Sequence, residues 1–100
     1  SANKEDHVSM GTISARKCRE IIKNAEQVIA IELLCGAQAL DLFTNMKPGE
    51  GTLAAYTIIR NAVSHLVSDR ILHKDIDLVK QLMRNGKILN AVEKKVGKLH

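Results

Sequence analysis

The sequence predicts an all-α fold in which one long N-terminal helix packs with three shorter helices. Apolar residues recur at three- and four-residue intervals along most of the chain, the period of one helix face. A single proline and six glycines among 100 residues leave little room for a loop-rich fold. The helix breakers that do occur are gathered at a few places, between stretches that keep the helical period. One hundred residues at 45% apolar content suffice for one domain and not for two.

Residues 1–11, SANKEDHVSMG, carry no apolar stripe and read as an extended or turning lead-in. Ser9 or Thr12 is placed to cap the helix that follows, although neither has Glu or Gln three residues later to complete a capping box. Residues 12–43 read as one helix. Cys18, Ile21, Ile22, Ala25, Val28 and Ile29 share a face, with Arg16, Lys17, Arg19, Lys23 and Glu26 elsewhere. From Val28 to Leu40 only Glu32 and Gln38 are clearly polar, the pattern of a helix surrounded by other protein. Thr44 to Gly51, TNMKPGEG, ends it. Thr52 is the expected cap of a second helix over 52–67, bearing Tyr56, Ile59, Ala62, Val63 and Leu66 and folding back on the first. Ser68 to Lys74 reads as irregular. Asp75 caps a third helix over 75–84, with Ile76, Val79, Leu82 and Met83 as its buried edge, and Asn85-Gly86 stops it. A fourth helix spans 87–96 through Ile88, Leu89, Val92 and Val96 and stops at Gly97.

The first helix is too long for this chain. A compact 100-residue domain has a radius of gyration of roughly 13 Å, hence a diameter of about 34 Å, whereas Ile13 to Phe43 at about 1.5 Å per residue measures about 46 Å. Either the chain oligomerises through this helix or it is a piece of a larger protein.

Composition narrows the function classes. One Phe, one Tyr and no Trp argue against base stacking on aromatic platforms. The net charge is +4, with basic runs at Arg16, Lys17, Arg19 and Lys23 and at Arg84, Lys87, Lys94, Lys95 and Lys98. Such runs attract phosphate, as a basic nucleic-acid binder requires, and are more often solvated helix faces, so no nucleic-acid partner is expected. Cys18 and Cys35 stand 17 positions apart on one helix, about 26 Å, beyond the reach of a disulfide, and read as buried thiols. Two such thiols without a secretion signal fit a cytoplasmic setting, though a fragment would not carry its parent's signal. The apolar run from Val28 to Leu40 is too short to cross a bilayer and contains Glu32, so no membrane partner is expected.

Catalytic signatures are sparse. There is no Gly-rich phosphate loop, no CxxC and no HExxH. His7, His65, His73 and His100 are scattered without metal-ligand spacing, so no metal site is expected. His65 reads as a helix-face residue and His73 as a loop residue. Glu32 fits two readings, a functional buried carboxylate or a charge paired with Lys or Arg at a helix contact. Lys4-Glu5-Asp6-His7 reads, on composition alone, as a solvated polar turn.

A resemblance gives that turn more weight. Ser1-Ala2-Asn3 followed by Glu5-Asp6-His7-Val8-Ser9-Met10-Gly11 resembles a stretch in the C-terminal part of the histidine and aromatic amino-acid lyase family. The similarity continues through Ala15-Arg16-Lys17, Ala30-Ile31-Glu32-Leu33-Leu34 and Ala37-Gln38-Ala39-Leu40-Asp41. Weaker matches at Gly51-Thr52, Ala55-Tyr56, Asp69-Arg70 and Asp75-Ile76 extend it over essentially the whole chain.

The resemblance implies a fragment of a larger, mainly helical lyase whose long helices pack together in a homotetramer. It implies an enzyme that converts L-histidine to trans-urocanate and ammonia with a methylidene-imidazolone (MIO) group made from an internal Ala-Ser-Gly. That tripeptide is absent here, so the chain alone is expected to be inactive and to hold no catalytic residue. Glu5 matches the family position that faces the substrate side chain, where a carboxylate can accept the imidazole N–H and favour a protonated ring. Phenylalanine-specific relatives typically have glutamine there, so Glu5 implies histidine as substrate. A helix starting near Ser9 to Thr12 would direct its positive end toward this site. Lys4 departs from the glutamine usual in the family; it either pairs with Glu5 and weakens its hold on imidazole or points into solvent. Two other readings stay open: a non-catalytic helical oligomerisation module, and part of a related aromatic amino-acid lyase or aminomutase.

Overall fold

The computed structural model describes residues 2–43, 45, 47–66 and 72–99, with the backbone alone for residues 2–10. Among these the fold is all-α: α1 (Ala2–Leu42), α2 (Glu50–Ala62), α3 (Leu72–Arg84) and α4 (Lys87–Val96).

The lead-in expected over 1–11 is helical from Ala2, continuous with the long helix. Extending an established helix adds a hydrogen bond per residue without a new nucleus, and the one breaker, Gly11, costs only about 1 kcal/mol relative to alanine. Ser9 and Thr12 therefore lie inside α1 and do not cap it. The helix ends at Leu42, the Phe43 N–H donating to the Ala39 carbonyl at 3.1 Å.

The second helix begins and ends earlier than expected. Gly49, extended at ψ 164°, is its N-cap in place of Thr52, and Glu50 occupies the first turn, where negative charge is favoured. Gly51 permits the close approach of α4: a Cβ there would lie 3.2 Å from Val96 Cγ1. The helix stops at Ala62 because Val63 turns extended, with its carbonyl taken by Arg60 and the backbone of Leu66 taken by Gln38. Val67 lies outside the described residues, as do 68–71 of the stretch expected to be irregular. Residues 72–74 are helical, which places His73 on α3 and Asp75 in its first turn, not at its cap. His65, expected on a helix face, follows the end of α2 and is exposed. The fourth helix matches its expected bounds, preceded by Gly86 at φ 76° and followed by Gly97 at φ 86°.

Two pairings build the body: α2 lies chiefly against α4, and α1 chiefly against α3, so the return of α2 onto α1 is a lesser contact. One cluster joins Ala30 and Ala37 of α1, Ile59 and Val63 at the end of α2, and Val79 of α3, with Leu33, Leu34, Tyr56, Ile76, Met83 and Ile88 packed around it. The two alanines let the other helices approach α1 closely, so its buried line contains few large side chains. The broader stripe is bare: Ile21 is 66% exposed, and Ile22, Val28 and Ile29 are exposed with it. Three short helices cover only one side of α1. Cys18 and Cys35, expected to be buried, are exposed free thiols for the same reason, and Glu32 is exposed as well.

The long helix does protrude. The radius of gyration is 18.6 Å and the chain extends 67 × 36 × 19 Å, against roughly 13 Å for a compact chain of this length. No described helix is long and apolar enough to cross a membrane.

Candidate functional site

The resemblance directs attention to Glu5, which lies in the early turns of α1. The helix start near Ser9 to Thr12 is not found; α1 begins at Ala2, so the Glu5 backbone is within the helix. The side chains of Lys4, Glu5 and His7 lie outside the described residues.

The structure brings together a different set of polar groups, about 50 Å further along α1. Gln38 and Asp41, three positions apart on α1, meet Tyr56 and Arg60, four apart on α2, because both spacings fall on single helix faces. Arg60 donates from Nε and Nη2 to Asp41 Oδ2 at 3.1 and 2.7 Å. Its Nη1 donates to the Val63 carbonyl at 3.1 Å, and Nη2 also reaches Gln38 Oε1 at 3.4 Å. The Tyr56 hydroxyl donates to Asp41 Oδ1, and the guanidinium lies 5.8 Å from the centre of the Tyr56 ring. Gln38 reads both backbone groups of Leu66, donating to its carbonyl at 2.9 Å and accepting from its N–H at 3.0 Å.

Burial is the largest influence on Asp41 and opposes its ionisation. The hydrogen bonds from Tyr56 and Arg60, with the charge of the Arg60 guanidinium, outweigh burial and hold the carboxyl below its ordinary value. The hydrogen bond to Asp41, with burial and the carboxylate charge, raises the Tyr56 phenol above its ordinary value. Both carboxylate oxygens are engaged, and among the described residues no buried side-chain polar atom lacks a partner. This is a clasp that fixes the end of α1 to α2 and to residues 63–66, without a group left over to act as base or nucleophile.

A second polar contact ties α1 to α3. Arg84 donates from Nε and Nη2 to Glu26 Oε2 at 3.0 and 2.6 Å, and this hydrogen bond, with the Glu26 charge, raises the guanidinium pKa further. Arg84 therefore leaves the basic run in which the sequence placed it. Between clasp and core lies a cavity of about 170 Å³ bounded by Ile31, Leu34, Cys35, Gln38, Leu72 and Ile76. No group of His, Cys, Asp and Glu among the described residues could hold a metal ion.

Sequence reasoning did not find the clasp. Gln38 stands out as a polar residue in an apolar run, and Tyr56 was placed on the apolar face of its helix. The available signal was the pair of helical spacings, 38/41 and 56/60, but which two faces meet is a tertiary fact.

A mainly helical segment whose long helix outruns its own core is the part of this chain that comparison with known proteins extends. Residues 1–61 match the family model described as aromatic amino acid lyase, and the chain belongs to that family. Among curated relatives it is 52% identical over 99 residues to the histidine ammonia-lyase of Natranaerobius thermophilus, covering 99% of this chain and 20% of that protein. It is 54% identical over 96 residues to the histidine ammonia-lyase of Alkaliphilus oremlandii, covering 96% and 19% respectively. The histidine ammonia-lyase of Gloeobacter violaceus is 52% identical over 99 residues, covering 99% and 19%. The chain spans about a fifth of the length of these relatives. No solved structure matches it.

Proposed function

We propose that this chain is a C-terminal part of a cytoplasmic histidine ammonia-lyase, an enzyme that deaminates L-histidine to trans-urocanate and ammonia. The observation that carries the reading is identity above 50% to histidine ammonia-lyases over 99 of the 100 residues. MIO would supply the electrophile of the intact enzyme. These 100 residues contain no Ala-Ser-Gly from which to form it, so the group belongs to other parts of the polypeptide and the chain alone performs no lyase chemistry.

Within the intact enzyme, Glu5 accepts the imidazole N–H of the substrate, and the exposed face of α1 packs against other subunits of a homotetramer. A hydrogen bond to a charged group contributes about 1.5–3 kcal/mol, hence roughly ten- to hundredfold in rate. Replacing Glu5 with alanine in the intact protein should lower kcat/KM for histidine by that factor, with the assembly unchanged in sedimentation. Unaltered turnover would remove Glu5 from the site.

Two other readings have support. The family model is general to aromatic amino acid lyases, so a related lyase or aminomutase would share it; phenylalanine and tyrosine assayed beside histidine separate these. The bare Ile21, Ile22, Val28 and Ile29 face also suits a helical oligomerisation module without chemistry. That reading requires a stable oligomer from a protein that deaminates none of the three amino acids.

A further inference from the structure

Away from the clasp and the bare face of α1, a shallow groove of about 600 Å³ runs between α2 and α4. Its floor is formed by Leu53, Ala54 and Ile58 of α2 and Ala91 of α4, with Leu53 44% exposed. Alanines on the facing helices keep the floor low, so a third helix could approach closely. Lys47, Lys94 and Lys95 stand at the rim with Glu50 as the one acidic residue beside them. All three lysines are exposed, and none forms an ion pair among the described residues. Lys94 and Lys95 lie in the last turn of α4, where the helix dipole favours positive charge. That preference does not account for Lys47, which precedes α2 in the sequence and shares the same rim.

We propose that this groove receives a helix from the remainder of the intact polypeptide, with small or aliphatic residues on its inner face and Asp or Glu along its edges. The inference rests on the chain being part of a longer protein. Three lysines against one glutamate favour acidic edges on whatever fills an apolar floor. The chain covers about a fifth of its relatives' length, so most of an intact polypeptide of that kind is available as occupant, held nearby by covalent connection. A second copy of the exposed half of α1 fits poorly, because Arg16, Lys17, Arg19 and Lys23 would set like charge against the rim.

The test uses the intact protein and carboxyl-to-amine zero-length cross-linking, with peptides identified by mass spectrometry. Lys47, Lys94 or Lys95 should link to an Asp or Glu outside residues 1–100. Acetylation of Lys94 and Lys95 should be at least tenfold slower in the native protein than in the urea-unfolded protein. The double substitution Lys94→Gln, Lys95→Gln, which keeps α4 helix-compatible, should abolish the links assigned to positions 94 and 95 and leave those from Lys47. Links confined to residues 1–100, or native acetylation as fast as in urea, overturns the proposal. Histidine deamination by the same preparation is scored separately: an active enzyme with unprotected lysines rejects the groove, and an inactive one with protected lysines rejects only the lyase reading.

Discussion

Removing Asp41 from the clasp isolates what the charged contact between α1 and α2 contributes. The Arg60 and Asp41 side chains are 14% and 17% exposed, and the shorter of their two hydrogen bonds is 2.7 Å. Pairs open to solvent contribute about 0.2–1 kcal/mol, whereas stripping one partner from a fully buried pair costs about 3–5 kcal/mol. This pair lies between those limits and nearer the buried one. Asp41→Ala should therefore cost about 2–3 kcal/mol, because it leaves the Arg60 charge without its acceptor in a largely enclosed place. In an Arg60→Met background the same change should cost about 1 kcal/mol, giving a coupling of about 1–2 kcal/mol. Urea unfolding of the four proteins of the cycle, followed by circular dichroism at constant m-value, measures it. A loss below about 0.5 kcal/mol for Asp41→Ala, or a coupling near zero, would show that water screens the clasp like any surface pair.

Acid should loosen the same junction. The folded-state pKa of Asp41 is lowered, so its stabilisation is fully present above the unfolded value of about 3.9 and is lost as pH falls through the lower folded value. The midpoint of unfolding should decline below about pH 4 in the unaltered chain, and Asp41→Asn should shallow that decline; an unchanged slope would place the acid sensitivity elsewhere. At Gly86, φ is 76° and an added Cβ would meet nothing closer than 3.6 Å, so backbone conformation alone sets the effect of substitution. Gly86→Ala should destabilise by about 1–2 kcal/mol, readable as a lowered thermal midpoint, whereas Asn, which tolerates the left-handed region, should cost less.

Much of the architecture follows from local pattern, and the departures have identifiable causes. Lys87 to Val96 matches its expected bounds because glycines at positive φ stand at both ends, a signal written in residue type. Of the lead-in expected over 1–11, residues 2–11 are helical, because the segment lacks a stripe but also lacks a proline, and a neighbouring helix extends through such a segment readily. The apolar stripe of α1 identified a helix correctly without identifying its inner face. Ala30 and Ala37 are buried while Ile21 and Ile22 are bare, because pattern records which residues avoid water and not which neighbour covers them. The reading of Glu5 rests on resemblance alone, since its side chain lies outside the described residues. The Asp41–Arg60 clasp was not legible, since it depends on two helix faces meeting across 19 positions.

The 41 residues of α1 also form a lever arm. Its described contacts with the other helices begin near Glu26, and from Ala30 back to Glu5 is about 37 Å of helix. A tilt of about 5° at the packed half would swing the motif end by roughly 3 Å, several times the half-ångström tolerance of a working site. The core and clasp therefore fix the direction of the arm without fixing its tip. Under the role proposed for Glu5, whatever packs on the Ile13 to Ile29 portion in the intact protein would set its aim, so substitutions there should act on substrate affinity from a distance.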